Sequence, residues 1–474
     1  MTETGMPVDY LVVSDLHLRG GWSNPTPGLY HFDEEFADFL RYYRLHRAAD
    51  RRWLLIIGGD LIEFLYITDR PDPATPMLRG ATFLDSEFRY GAGTEAQKSR
   101  WKLDTILRSS HPQLLLALAR FVAEGNAIVV LRGNHDIEMF WPEVQEHFRR
   151  LIAEHHPEDV SYMTMKEAVV ARVRFGEWFW YVPDVLYVEH GSQYDPFCCS
   201  QYVLNPLVPQ CSTRLQMSIS ELAIRYFTNQ MKTINASAAE NIKSVSEYIG
   251  WVIRGNLSLL PSTLRLYAGM VLRILAKSGR PNRAAEQAVR AVHEQRVATA
   301  DERFGLPAGT VATLDALRAA PVMRDALATA RFLALDLIAG AVLIAALAVF
   351  VLIWYPARVG SLVLAGAAAL IGLIAYWGAL RFRRVTEAAQ LLRTAGRIAA
   401  ILAVPFVVFG HSHEAGKWPL PGGRTYLNVG TWVPEGGEAH FVHLTVSGDS
   451  AGRLARLWRW NRSEQKPEPF GGDP

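Results

Sequence analysis

The chain has 474 residues, enough for two or three domains, and half of them are apolar, which excludes a wholly disordered protein. Its formal net charge of +2 shows no strongly basic domain, so no nucleic-acid partner is expected. The cysteines Cys198, Cys199 and Cys211 form no disulfide framework and fit a reducing compartment. The N-terminus lacks a signal-peptide pattern, so we expect the N-terminal domain to stay in the cytoplasm.

Strand-like and helix-like patterns alternate over the first 200 residues, which favours an α/β layered fold. The aromatic-rich stretch Arg172 to Tyr181 is expected to be a hairpin partner in a mixed sheet. Short apolar runs predict strands at Tyr10–Val13, Trp53–Ile57, Ala127–Leu131 and Val185–Glu189, and amphipathic stretches predict helices at Asp33–His46 and His111–Glu124.

From about Cys198 to Arg397 the pattern is helical, without a convincing strand. The stretch Ser262 to Ser278 is apolar over most of its surface, with its basic residues toward one side. This pattern fits either a basic amphipathic helix at a membrane surface or a core helix of the insertion.

Two long apolar runs follow, Leu337 to Tyr355 and Val359 to Leu380, and neither contains a charged residue. Each is long enough to cross a hydrocarbon core of about 30 Å, so the sequence predicts a transmembrane helical hairpin over residues 331–384. The alternative is a buried soluble hairpin. Basic residues flank the outer ends and only Arg358 lies in the turn, which predicts an integral membrane protein with its catalytic domain on the cytoplasmic side.

Strand patterns return after the hairpin, at Phe406–Phe409, Thr425–Val429, His440–Val446 and Arg453–Trp460. We therefore expect one catalytic fold in two parts, residues 1–200 and 385–462. A helical insertion (201–330) and the hairpin (331–384) would separate the parts, and a polar tail (463–474) is expected to be disordered.

Five polar clusters each follow a predicted strand, where α/β folds collect ligand-binding residues. They are Asp15-x-His17, Gly59-Asp60, Gly133-Asn134-His135-Asp136, His190-Gly191 and Gly410-His411-x-His413. Carboxylate, imidazole and amide oxygen ligands suit Mn, Fe or Zn. We expect two divalent ions, and manganese is preferred over iron and zinc. Because two such ions repel each other, a carboxylate must bridge them, and Asp60 is the natural candidate.

The ordered series of these clusters resembles the calcineurin-like metallophosphoesterase family, over about residues 8–200 and 400–460. The resemblance implies an αββα sandwich, interrupted here by the insertion, with a dinuclear metal site at one edge. It implies one ion held by Asp15, His17, Asp60 and His413, and another held by Asp60, Asn134, His190 and His411. His135 would contact the phosphate or protonate the leaving oxygen, and Asp136 would orient it.

Two stretches, Gly59 to Phe64 and His190 to Asp195, are similar to the UDP-2,3-diacylglucosamine pyrophosphatase branch of that family. That branch typically carries an arginine where this chain has His135, so the substrate stays open. The first hypothesis is a membrane-anchored hydrolase of a phosphate ester or pyrophosphate bond in a lipid or lipid-linked substrate. The alternatives are a tethered enzyme acting on a soluble nucleotide or other phosphoester, and a non-catalytic membrane scaffold.

Overall fold

The structure is a computed structural model of the whole chain. It describes residues 7–20, 32–69, 71–72, 74–231, 257–277, 282–333, 335–354, 366–367, 372, 387–434, 441–449 and 452–471.

The larger of two main sheets has seven strands and begins with the predicted N-terminal runs. Its strands are β1 (Val8–Val13), β2 (Arg52–Ile57), β3 (Ala127–Leu131), β4 (Val173–Gly176), β12 (Val442–Asp449), β13 (Gly452–Asn461) and β14 (Lys466–Pro469), in the spatial order β14-β13-β12-β1-β2-β3-β4. Strands β1 to β4 are mutually parallel, so their carboxyl ends share one edge. Strand β12 returns antiparallel to β1 and joins the chain's C-terminal part to its N-terminal part.

The second sheet has five strands and is also built from both ends of the chain. Its strands are β5 (Phe179–Val182), β6 (Leu186–Glu189), β9 (Phe406–Phe409), β10 (Gly416–Leu420) and β11 (Arg424–Asn428), in the order β10-β11-β9-β6-β5. Strand β5 pairs antiparallel with β6, which confirms the predicted hairpin for the last residues of the stretch Arg172 to Tyr181. The earlier residues Val173–Gly176 form β4 in the larger sheet instead. Strands β6 and β9 are parallel, which brings residues that follow them to a common edge.

Three apolar layers hold the sheets and helices together. The two sheets share a central core to which Val12 and Ile56 contribute from one sheet and Val188 and Val408 from the other. The outer face of the larger sheet packs on five helices, α1 (Asp33–Leu45), α3 (Ala96–Ser110), α4 (Pro112–Ala123), α5 (Pro142–Glu154) and α6 (Tyr162–Arg172). The short helix α2 (Glu87–Tyr90) lies between α1 and α3 in the sequence. The outer face of the smaller sheet packs on α14 (Glu387–Leu402) and on parts of the insertion. The order of layers is helices, sheet, sheet, helices.

The insertion is mainly helical but also contains a short hairpin, β7 (Leu207–Val208) with β8 (Cys211–Leu215), so the expectation of no strand there is wrong. Its helices are α7 (Ile219–Ala223), a π-turn (Ile224–Thr228), α8 (Asn229–Met231), α9 (Leu260–Lys277), α10 (Arg283–Phe304), α11 (Thr310–Asp315), α12 (Ala326–Phe332) and α13 (Leu335–Trp354). Helix α9 buries Tyr267, Met270 and Ile274 in a local cluster with α7, which is the packing expected of a core helix.

The transmembrane hairpin predicted for residues 331–384 is wrong, because no helix within the described ranges has both the length and the apolarity to cross a bilayer. The first run corresponds to α13, while the second lies outside the described residues except for 366–367 and 372. The predicted localisation as an integral membrane protein is corrected together with the hairpin.

The tail is a second correction. Residues 463–474 were expected to be disordered, yet Lys466–Pro469 form β14, antiparallel to β13. Pairing places Trp458 opposite Pro469 and Asn461 opposite Lys466. Proline fits this position because β14 is an edge strand, where a missing N–H leaves no ladder bond broken.

Candidate metal centre

The predicted site residues meet at the shared edge of the two sheets. Asp15, Asp60 and Asn134 follow the parallel strands β1, β2 and β3. His190 and His411 follow β6 and β9 on the facing sheet. Backbone hydrogen bonds tie these loops together, from Asp15 N to the Gly59 carbonyl (3.1 Å) and from Gly410 N to the His190 carbonyl (3.0 Å).

The backbone at the site is held in an uncommon conformation. Left-handed φ angles occur at Asp15 (54°), His17 (47°), Asp60 (51°), His411 (65°) and His413 (60°). A non-glycine residue in this region is strained, and such residues cluster at functional sites. The strained backbone at the strand ends therefore orients these side chains toward one point, at a cost in conformational free energy.

One group of ligand atoms is formed by Asp15, His17 and His413. The Nε2 atoms of His17 and His413 face each other at 3.3 Å, and they lie 3.8 and 3.2 Å from Asp15 Oδ1. His17 donates its Nδ1–H to Glu63 Oε2 over 3.0 Å, which leaves its Nε2 lone pair directed toward the group. Asp15 is fully buried, and its Oδ1 accepts no hydrogen bond from any described residue.

A second group contains Asp60, His190 and Asn134. His190 Nε2 lies 3.2 Å from Asp60 Oδ2 and 3.1 Å from Asn134 Oδ1. Its Nδ1 donates to the Gly58 carbonyl at 3.2 Å, so its Nε2 lone pair also points inward. Asp60 Oδ2 lies 3.8 Å from Nε2 of His17 as well, so this carboxylate stands between the two groups.

His411 lies beside the second group, with its ring 5.1 Å from that of His190 between centroids. Its backbone N–H donates to Asp15 Oδ2 over 3.1 Å. Its Nε2 faces away from the centre and lies 3.2 Å from Asp195 Oδ2. Nδ1 is therefore the ring nitrogen left for an ion.

The ring of His135 is held by Glu63. Its Nδ1 lies 2.7 and 2.9 Å from the two Glu63 oxygens, and its backbone N–H donates to Asp60 Oδ1 over 2.8 Å. Since a carboxylate only accepts, Nδ1 carries the hydrogen and Nε2 is free to face a substrate. The ring packs edge-on against His17 at 4.7 Å.

The carboxylate of Asp136, which the resemblance implied would orient His135, is hydrogen-bonded to the backbone. Its carboxylate accepts from the backbone N–H of Leu61 (2.9 Å) and of Gly133 (2.6 Å). Burial, with the Asp60 charge adding to it, raises the pKa of Asp136 to about 7. This residue therefore fixes the loops that carry Asp60 and Asn134.

The sequence interpretation gave no role to Glu63 and Asp195, which lie against His17 and His411 in the structure. Glu63 lies three positions after Asp60, and Asp195 lies five positions after His190. Both lie within the two stretches that are similar to the pyrophosphatase branch. Their only sequence signal is a carboxylate close behind a ligand residue. Which histidine nitrogen each one contacts depends on the fold.

The site strongly favours positive charge. Burial alone would lower the pKa of His17, but the neighbouring carboxylates of Asp15 and Glu63 raise it to about 10. In the same way Asp60 and Asp15 overcome burial and raise the pKa of His190 to about 9. The pKa of Asp60 is lowered against its burial by His190 and His135. The buried carboxylates of the site are therefore stabilised by positive charge, which imidazolium groups or a metal cation can supply.

The residues therefore fit divalent metal ions. The Asp15 oxygen without a hydrogen bond and the facing Nε2 atoms of His17 and His413 are what a ligand set presents to an ion. His17, His190 and His411 also show the outer hydrogen bonds that usually fix metal ligands. Oxygen and imidazole donors are compatible with Mn, Fe or Zn.

Comparison with known proteins agrees with this chemistry. Residues 9–207 match the family model described as calcineurin-like phosphoesterase. The domain identifies a metal-dependent phosphoester hydrolase, and the family implies divalent metal ions. The matched region contains Asp15, His17, Asp60, Asn134 and His190, whereas His411 and His413 lie beyond it. No curated protein matches the chain.

Proposed function

We propose that the centre holds two divalent ions and hydrolyses a phosphate ester or pyrophosphate bond. The single observation that carries the proposal is the position of Asp60, whose Oδ2 lies between Nε2 of His190 (3.2 Å) and Nε2 of His17 (3.8 Å). A carboxylate between two groups of imidazole and oxygen ligands is the arrangement that two neighbouring cations require.

In this proposal the ions share Asp60. Asp15, His17 and His413 would complete the ligands of the first ion, and Asn134, His190 and His411 would complete those of the second. When bound, such a pair polarises the phosphoryl group and lowers the pKa of the attacking water. The donor set favours manganese as the first metal to test, with iron and zinc as alternatives.

The protein's own groups position the substrate and move a proton. His135 offers Nε2 to the phosphoryl or leaving oxygen, since Glu63 holds its Nδ1–H. A protonated His135 donates a hydrogen to the leaving oxygen as the bond to phosphorus breaks. Asp136 keeps Leu61 and Gly133 in place, so the bridging carboxylate and Asn134 stay aligned.

The substrate is proposed only as a phosphoester or pyrophosphate. The expectation of a lipid-linked substrate depended on the membrane hairpin, and that hairpin is not found among the described helices. Soluble phosphomonoesters, phosphodiesters and nucleotide pyrophosphates are the first compounds to compare, with a lipid-linked phosphoester beside them.

The test is metal analysis and a substrate panel on the full chain, with Asp60→Asn as the matched variant. The wild-type chain should retain about two ions and turn over at least one compound. Asp60→Asn keeps the size of the side chain but removes the shared charge, so it should lose metal and activity together. A wild-type protein with one ion or none, inert with added Mn²⁺, Fe²⁺ and Zn²⁺, would contradict the proposal.

A further inference from the structure

The outer hydrogen bonds of the histidines follow a common pattern. His17 is held at Nδ1 by Glu63, and His190 is held at Nδ1 by the Gly58 carbonyl. In both cases one nitrogen is bonded to an acceptor outside the centre, and the other faces inward. His411 shows the same arrangement with its nitrogens exchanged, because its Nε2 is bonded outward to Asp195.

The geometry points to Asp195 as the positioning residue that makes His411 a ligand of the second ion through Nδ1. This inference rests on the two-ion centre proposed above. An imidazole with hydrogen on Nε2 has its lone pair on Nδ1, so the acceptor at Nε2 selects the tautomer that can bind metal.

Asp195 is itself firmly placed for this task. It is 4 % exposed, and its Oδ1 accepts from the backbone N–H of Phe197 over 2.9 Å while Oδ2 contacts His411. Both oxygens therefore face N–H groups. An asparagine would direct its NH₂ at one of these donors in either rotamer, so it cannot satisfy both.

A second arrangement of the same atoms has to be separated from this one. Ligand atoms of Asp195, Cys198 and His411 lie within 4.8 Å of one another, so these residues could instead hold an ion of their own. The two arrangements differ in the thiol. If Asp195 only orients the ring of His411, removal of the Cys198 thiol should not affect metal binding. If an ion lies in this cluster, removal of the thiol removes one of its ligands.

Equilibrium dialysis of the full chain against Mn²⁺, followed by metal analysis, tests the inference. Asp195→Asn should weaken the affinity for one of the two ions about 10- to 100-fold and leave the affinity for the other unchanged. Cys198→Ser, the matched control, should leave both affinities at the wild-type level. A measurement on the unmodified protein complements this: ¹⁵N NMR of the histidine rings should show hydrogen on Nε2 of His411.

Each opposite result overturns the inference. Unchanged affinities in a folded Asp195→Asn variant exclude a positioning role, and an equal loss in Cys198→Ser makes the thiol a ligand. Hydrogen on Nδ1 of His411 excludes it even if the variant does not fold. A wild-type chain that binds fewer than two ions overturns the proposed function together with the inference. The other results overturn the inference alone, so the two failures can be distinguished.

Discussion

At the scale of single residues, carboxylates outside the proposed ligand set hold the histidines of the site in place. Glu63 is 1 % exposed and contacts Nδ1 of both His17 and His135. One side chain thus fixes a proposed metal ligand and the proposed proton donor together. The pKa of Glu63 is lowered, since the charges and bonds of the two histidines outweigh the effect of its burial.

The substitution Glu63→Gln should slow turnover by roughly 10²- to 10⁴-fold, because this is the usual contribution of a positioned general acid. Glutamine keeps the volume but offers only one acceptor oxygen for two N–H donors. If His135 protonates the leaving oxygen, esters of alcohols should lose more activity than nitrophenyl esters, which leave without help. Steady-state kinetics on both substrate types checks this, and an equal loss on both would exclude the role.

At the scale of elements, the strand ends decide how closely the loops can approach. Gly133 follows β3, and a Cβ atom there would lie 2.0 Å from Asp60 Oδ1 and 2.7 Å from the Asp60 backbone nitrogen. These contacts are shorter than any real Cβ contact. Asp60 occupies the space that a side chain at position 133 would need.

Accordingly, Gly133→Ala should displace Asp60 and remove bound metal and activity. Gly396→Ala is the matched control, because Gly396 lies inside α14 and its added Cβ would meet only Leu420 Cδ2, at 3.7 Å. We expect the control to keep its activity and gain about 0.5–1 kcal/mol of unfolding free energy. Metal analysis and thermal unfolding measure both, and a fully loaded Gly133→Ala protein would contradict the expectation.

At the scale of the whole molecule, the metal centre belongs to two distant segments of the chain. Strand β12 pairs with β1, and β9 pairs with β6, so the C-terminal strands complete both sheets. His411 and His413 come from the same C-terminal part. The segment that matches the family model therefore carries neither complete sheets nor the full set of proposed ligands.

A fragment of residues 1–207 should consequently show no cooperative unfolding and no retained metal. It would leave the edges of β1 and β6 unpaired, where β12 and β9 hydrogen-bond in the full chain. Calorimetry and metal analysis of the fragment beside the full chain provide the measurement. A fragment that unfolds cooperatively and holds two ions would show that the C-terminal strands are dispensable.

Much of the fold could be predicted because its strands are short apolar runs that local pattern distinguishes. The runs at Trp53–Ile57, Ala127–Leu131 and Phe406–Phe409 coincide with β2, β3 and β9 to within a residue. The errors occurred where one sequence pattern is compatible with several environments. Apolarity does not by itself specify a membrane span, and a polar tail can still pair with an edge strand.

The sequence by itself determined the residue types of the centre and their order at strand ends, because carboxylate, imidazole and amide ligands are visible as letters. Only the tertiary structure decided which atoms face one another. The carboxylates of Glu63 and Asp195 select the tautomers of His17, His135 and His411, and these contacts join residues up to 216 positions apart. Such pairing depends on sheet order and on strained backbone angles, which no local pattern encodes.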